Sequence, residues 1–286
     1  MARTLIAGCG YLGSALGVRL LAESHTVWGL RRRAGSLPAG LRAIEADLSI
    51  PSTLRELPGE LDFVVYAVAP GGPDEPLYRA ACVDGLRNLL EALRASGQHP
   101  SRLLYVSSTG VYGQEKGEWV DEASPTEPSH FSGRRLLEGE ALALGGPFPA
   151  HVLRLGGIYG PRRASLLERV RSGRAVYRAS PPRYLNRIHL ADCVGALAHL
   201  LAIPDPAPVT LGVDDDPADE RTVLQWMAGA LGAPPPRAAG PEEAEAAVKR
   251  GRGNKRCRNA RLKASGYRFL HPTFREGYRE LIESMS

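Results

Sequence analysis

Thr4-Leu5-Ile6-Ala7-Gly8-Cys9-Gly10-Tyr11-Leu12-Gly13-Ser14-Ala15-Leu16-Gly17 opens the chain and decides how the rest is read. A short run rich in apolar residues has the length of a buried strand. Three glycines then follow in a G-x-G-x-x-G spacing, and a helix-period segment begins. Each glycine has a physical task in such a turn. One permits the tight bend, the next lets backbone approach a ligand closely, and the third lets helix pack on strand. The helix N-terminus adds unpaired N–H groups and positive dipole character, which suits a pyrophosphate. Gly8, Gly10, Tyr11, Leu12 and Gly13 are therefore the expected phosphate cradle of a dinucleotide.

Outward from this turn, short apolar runs at residues 4–7, 26–30, 62–69, 103–107 and 151–155 alternate with helical periodicity. The helical segments are 13–22, 77–95, 133–144, 190–201 and 222–231, the last with Thr222 as its expected N-cap. Alternation of this kind predicts an α/β fold, a Rossmann-type doubly wound parallel sheet covered by helices. Proline-dotted stretches at 156–182 and 204–217 interrupt it. The expected plan is a dinucleotide-binding domain over 1–155, with 186–210 returning to it. A smaller substrate region is then assembled from 156–185 and 211–286.

The chain has 286 residues, 43% apolar and 23% charged, with a formal net charge of +5. That composition supports a packed core and excludes wholesale disorder. No apolar stretch reaches the ~18 residues of a membrane span, and the glycine-broken start reads as strand and turn rather than a secretion signal. Cys9, Cys82, Cys193 and Cys257 form no Cys-x-x-Cys pair, so neither a zinc site nor a disulfide framework is expected, and a cytoplasmic location is. Only four of the 36 basic residues are lysines: Lys116, Lys249, Lys255 and Lys263.

The end of the second strand bears on the nucleotide. An NAD site usually offers a carboxylate there for the ribose hydroxyls. This chain has Arg31-Arg32-Arg33, whose guanidiniums match a 2′-phosphate in charge and geometry. The expectation is NADP, with NAD less favoured, held in part by Arg31 and Arg32.

Further motifs give the chain a family resemblance. It resembles the extended short-chain dehydrogenase/reductases, the NAD(P)-dependent epimerase/dehydratase group. Ala46-Asp47-Leu48 is similar to the Asp-Leu that contacts adenine, and Phe63 to Ala69 matches the fourth strand, placing Ala67 and Ala69 along the cofactor. Val83-Asp84-Gly85-Leu86-Arg87-Asn88-Leu89-Leu90, Ser107-Ser108-Thr109-Gly110-Val111-Tyr112-Gly113, Arg154 to Arg162 and Ile188-His189-Leu190-Ala191-Asp192 follow in family order. Two departures stand out. The glycine loop is one residue shorter than the family's usual G-x-x-G-x-x-G, and Cys82 stands where the family has an Asn.

The resemblance implies catalysis by a Tyr-x-x-x-Lys pair after the Ser strand, and here the chain departs again. Aligned without gaps, Ser132 and Leu136 occupy those positions. No tyrosine lies between Tyr112 and Tyr159, and no lysine between Lys116 and Lys249. Tyr112 and Lys116 match the spacing but fall in a glycine-flanked loop, where the family keeps a structural tyrosine. Ser108 survives at the position of the catalytic Ser, able to donate to a substrate carbonyl or to close the strand end. His130, Arg134, Arg135 and Tyr159 are candidate substitutes, while His189 reads as structural.

Lys249 to Lys263 carries eight basic residues and no acid, and Asn259 and Leu262 are its family landmarks. Without interleaved aromatics it reads as a solvated surface or a site for an anionic substrate such as a nucleotide sugar, not for nucleic acid. The expected function is an NADP-binding oxidoreductase or epimerase-like enzyme acting on a small molecule. The alternative is an NADP-binding sensor or partner-binding protein without turnover. The resemblance also implies a homodimer through the helices at 77–95 and 133–144.

Overall fold

A computed structural model describes residues 1–33, 35, 37–240, 243 and 253–285. Its central feature is a seven-stranded sheet in the order β11-β7-β5-β4-β1-β2-β3. The strands are β1 (Arg3–Ala7), β2 (Thr26–Arg31), β3 (Arg42–Glu45), β4 (Phe63–Tyr66), β5 (Arg102–Ser108), β7 (Ala150–Leu155) and β11 (Val209–Gly212). The pairings of β1 with β2 and β4, of β2 with β3 and of β4 with β5 are parallel. This is the doubly wound α/β fold expected from the alternation.

The chain divides into two compact units. The first comprises Met1–Val111, Phe131–Arg154 and Val194–Thr210. Its helices are α1 (Tyr11–Ala22), α2 (Glu75–Arg79), α3 (Gly85–Ala95), α4 (Phe131–Leu144) and most of α6 (Leu190–Ala202). Its core packs Leu5, Leu30, Val64, Tyr66, Leu89 and Leu103, all at most 1% exposed. Buried on both faces, these strands read as near-continuous apolar runs.

Two polar devices fix this unit. Glu140 on α4 and Arg154 on β7 form a buried ion pair, Nη2 to Oε2 at 2.6 Å, and Ser107 Oγ donates to the same carboxylate. The Arg102 guanidinium donates to the carbonyls of Leu200, Leu201, Ile203 and Pro204, closing the C-terminus of α6.

Between α2 and α3 the helix takes a π turn at Ala80–Asp84. The Tyr66 hydroxyl donates to Ala81 O at 2.6 Å and the Tyr105 hydroxyl to Cys82 O at 3.2 Å. A wide turn frees carbonyls from the regular ladder, and here two stacked tyrosines satisfy them. The periodicity at 77–95 predicts a single uninterrupted helix and does not show this turn.

The second unit comprises Tyr112–His130, Leu155–Cys193 and Leu211–Ser286. Among the described residues it contains three parallel strand pairs: β6 (Glu118–Val120) with β13 (Lys255–Cys257), β8 (Gly157–Tyr159) with β10 (Arg187–His189), and β9 (Val176–Tyr177) with β12 (Arg237–Ala238). Among its described residues are the helices α5 (Ser165–Arg171), α7 (Glu220–Leu231), α8 (Ala260–Ala264) and α9 (Phe274–Glu283). Tyr159, Leu167, Leu224, Met227, Phe274 and Tyr278 form its core. Thr222 is not the N-cap of α7. Asp219 holds that position and accepts from Arg221 N, because the helix begins two residues earlier than the apolar pattern suggests.

Candidate functional site

The glycine turn has the conformation its spacing demands. Gly8 adopts φ +87°, and a Cβ there would stand 2.7 Å from the backbone of Ala67 and Val68. A Cβ on Gly13 would meet Gly8 O at 2.7 Å, which is how α1 comes to lie so close to the turn. The Gly8 and Cys9 N–H groups both donate to Leu30 O, pinning the turn to the end of β2. Gly10, at the N-cap of α1, offers no side-chain bond, and the first turn carries no acidic residue. That end of the helix therefore presents Tyr11, Leu12 and Gly13 with positive dipole character and no competing carboxylate. Any side chain at Gly8 would collide with the backbone of Ala67 and Val68, so β1, the turn and the end of β4 can lie this close only with glycine there.

Ala67 and Ala69 lie just beyond β4, which ends at Tyr66, three residues earlier than the apolar run predicts. Ala67 N donates to Ala7 O, so it continues beside β1. Asp47 and Leu48 follow β3. The Asp47 carboxylate accepts from the Ser49 N–H and hydroxyl, which hold its pKa below the usual carboxylate range. Asn88 on α3 anchors Leu48 by donating to its carbonyl at 2.8 Å.

Arg31 ends β2 half-buried, and Arg32 and Arg33 are exposed. The sheet adds a residue the linear reading does not connect with them: Glu45, exposed on β3, stands in register with Arg31. The sequence pattern shows no carboxylate near the arginines. The fold brings one there.

Ser108 ends β5 and is partly exposed, and its Oγ accepts from Gly110 N–H at 3.1 Å. The neighbouring Ser107 is committed to Glu140 and buried. On α4, Leu136 packs against the apolar cluster of Ala81, Cys82 and Val83. The helix contains neither tyrosine nor lysine. Gly139 lets α4 approach Cys82 O and the Tyr105 hydroxyl more closely than any side chain would allow. Arg135 is held by Glu75 and Glu138 at 2.8 and 2.6 Å. His130 precedes α4 and Arg134 lies exposed on it. Tyr159 is core: it is 1% exposed, stacks on Tyr278, and burial raises its pKa, which makes it a poor proton donor.

The Tyr112-to-Lys116 spacing forms no helix. Tyr112 is buried, whereas Lys116 is exposed. A different lysine reaches this loop. Lys255 on β13, 5% exposed, donates from Nζ to Tyr112 O at 2.8 Å, and burial lowers its pKa. Sequence spacing could not find this partner 143 residues away, although the scarcity of lysine singles it out.

Part of the basic segment, residues 249–252, lies outside the described residues. Most of the remainder has structural duties. Lys263 pairs with Asp215 and Arg261 with Glu122. Asn259 donates to Val213 O and Asp215, and Leu262 is fully buried. Arg256 differs. Its guanidinium lies 4.9 Å from the Trp119 ring centroid and 4.6 Å from that of Tyr184, with Nε donating to Gly117 O.

The NAD dependent epimerase/dehydratase family model matches residues 4–195, which span the cradle, Ser108, α4 and the Ile188-His189 segment. The chain belongs to this family. A solved structure from Methylobacillus flagellatus, titled as an NAD-dependent epimerase/dehydratase, is 36% identical with a TM-score of 0.82, over 99% of this chain and 98% of that one. The 3-diazoavenalumate denitrifying reductase of a Streptomyces species is 29% identical over 96% of this chain and 98% of its own. The dTDP-6-deoxy-L-talose 4-dehydrogenase (NAD(P)(+)) of Kitasatospora kifunensis is 34% identical over 54% of this chain and 52% of its own. Among the described residues, no helix is long and apolar enough to cross a membrane.

Proposed function

We propose that the chain is an NADP-dependent oxidoreductase of the epimerase/dehydratase family, acting on a small carbonyl-bearing substrate without a Tyr-x-x-x-Lys pair. The observation that carries this reading is the glycine cradle with Arg31, Arg32 and Arg33 at the end of the next strand. Leu12 and Gly13 at the start of α1 would hold the pyrophosphate, Asp47 and Leu48 the adenine side, and Ala67 and Ala69 the nicotinamide half. Arg32 and Arg31 would take the 2′-phosphate. Bound there, the nicotinamide supplies a hydride donor or acceptor. The Streptomyces relative, named a reductase and matched along nearly its whole length, supports a redox role.

Ser108 is the residue this chain offers to the substrate. Its hydroxyl, with a lone pair already taken by Gly110 N–H, has its proton available to donate to a carbonyl oxygen. With α4 lacking tyrosine and lysine, the proton that neutralises an alkoxide would come from solvent or from the substrate. A slow reaction at ordinary pH is the consequence. The four cysteines, all free and buried, support a reducing cytoplasmic setting.

The experiment combines cofactor titration with turnover. The wild type should bind NADPH at least tenfold more tightly than NADH, and Arg31→Ala/Arg32→Ala should remove that preference. Ser108→Ala should lower turnover with an active carbonyl compound while leaving NADPH affinity unchanged. Equal affinity for the two coenzymes overturns the NADP assignment. Tight NADPH binding with no turnover across carbonyl panels favours the sensor reading, which the packing of Leu136 at the lysine position supports.

A further inference from the structure

Within the second unit, His189 at the end of β10, His271 before α9 and Glu280 on α9 converge. One potential ligand atom from each lies within 4.8 Å of the other two. His271 is aimed by a carboxylate: its Nδ1 lies 3.1 Å from Asp192 Oδ2, and Asp192 is fully buried. Asp192 is itself fixed by the N–H groups of Leu270 and His271 and by the Tyr267 hydroxyl. This directs His271 Nε2 towards Glu280 Oε2 at 2.6 Å. Carboxylate-bonded imidazoles of this kind are the usual support of metal-ligating histidines. His189 adds an independent observation. It is 3% exposed, its Nε2 is buried without a hydrogen-bond partner, and its ring centroid lies 4.0 Å from that of His271.

We propose that His189, His271 and Glu280 form a site for one divalent transition-metal ion of the zinc type, with Asp192 as its orienting carboxylate. Two imidazoles and one carboxylate suit zinc, whereas magnesium and calcium take oxygen donors. The Glu280 side chain is 58% exposed, so a fourth position opens to water. Zinc bonds of ~2.0–2.2 Å set neighbouring tetrahedral donors roughly 3.3 Å apart. The His271–Glu280 contact would therefore widen by under ~1 Å, which a surface glutamate accommodates by rotation. In the metal-free state His271 Nε2 and Glu280 Oε2 are hydrogen-bonded to one another, and the ion would take the place of that bond. The metal-bound His189 ring carries its proton on Nδ1. It thereby gives up a 3.4 Å contact from Ala191 N–H, which lies beyond the usual hydrogen-bond range. The expectation of no metal site rests on cysteine spacing, and this cluster uses no cysteine. It needs residues 189, 271 and 280 brought together by the fold.

The test uses tag-free, full-length protein stripped with a chelator. Zinc is titrated against a chromophoric competitor, cobalt binding is followed by visible absorption, and thermal unfolding is recorded with and without zinc. The expected result is one equivalent per chain, a cobalt spectrum of low coordination number and a Tm raised by several degrees. Glu280→Gln, at an exposed position that leaves folding intact, should weaken zinc at least tenfold and abolish the Tm shift. His189→Phe should remove stoichiometric binding. No bound zinc in the wild type, or binding and Tm shift unchanged in Glu280→Gln, overturns the proposal and leaves a hydrogen-bonded staple.

Discussion

Gly8 and Asp214 are single positions whose behaviour is set by their close surroundings. At Gly8 both the positive φ and the surrounding backbone oppose a side chain. Gly8→Ala should cost about 1–3 kcal/mol, read as a lower denaturant midpoint, and reduce dinucleotide affinity at least tenfold by fluorescence titration. Asp214 is 2% exposed, its Oδ2 has no partner, and burial holds its carboxyl pKa well above the ordinary range. The native state therefore keeps a proton that the unfolded chain releases above its ordinary carboxylate pKa. Stability falls as pH rises from there towards the raised native value. Asp214→Asn should flatten that slope and raise stability at pH 7, measured by urea midpoints across pH. Such residues differ in how openly the sequence announces them. The glycines spell out their backbone requirement in residue type, whereas nothing beside Asp214 or Lys255 in the chain shows that each is buried.

Elements were legible where a pattern is local and obscure where it is not. β1, β2, β5 and β7 are apolar runs, and α1, α4 and α6 carry helical periodicity, so both kinds appear within a residue or two of their expected positions. β3 escapes because Arg42-Ala43-Ile44-Glu45 is an edge strand with mostly exposed side chains and no apolar run. β11 escapes because it is only four residues long and lies in a proline-dotted stretch. The missed β3 bears on the cofactor, since it places Glu45 opposite Arg31. A carboxylate there opposes a 2′-phosphate, so Glu45→Gln should shift the NADPH-to-NADH affinity ratio several-fold towards NADPH. The buried Glu140–Arg154 pair ties α4 to β7. Glu140→Gln should lower stability by about 3–5 kcal/mol in equilibrium unfolding, because it removes the counter-charge of a buried guanidinium.

On the scale of the whole molecule, the family and the doubly wound parallel sheet follow from motifs spread along the chain, but the association state does not. Leu77 on α2 and Leu144 on α4 are 41% and 40% exposed, on the helix segments the resemblance assigns to subunit pairing. If these helices pair two subunits, the wild type should sediment as a dimer. Leu77→Glu/Leu144→Glu should then raise the dimer Kd at least tenfold.

The closure of α6 by Arg102 has a consequence for synthesis. The guanidinium and its carbonyls are about one hundred residues apart in the chain, and the β7 edge is completed by a strand ending at Gly212. A ribosome that has released only 155 residues has made a sheet with a bare edge, an arginine without its acceptors and no α6. Such a nascent chain would be a ready template for intermolecular strand pairing until the next sixty residues emerge.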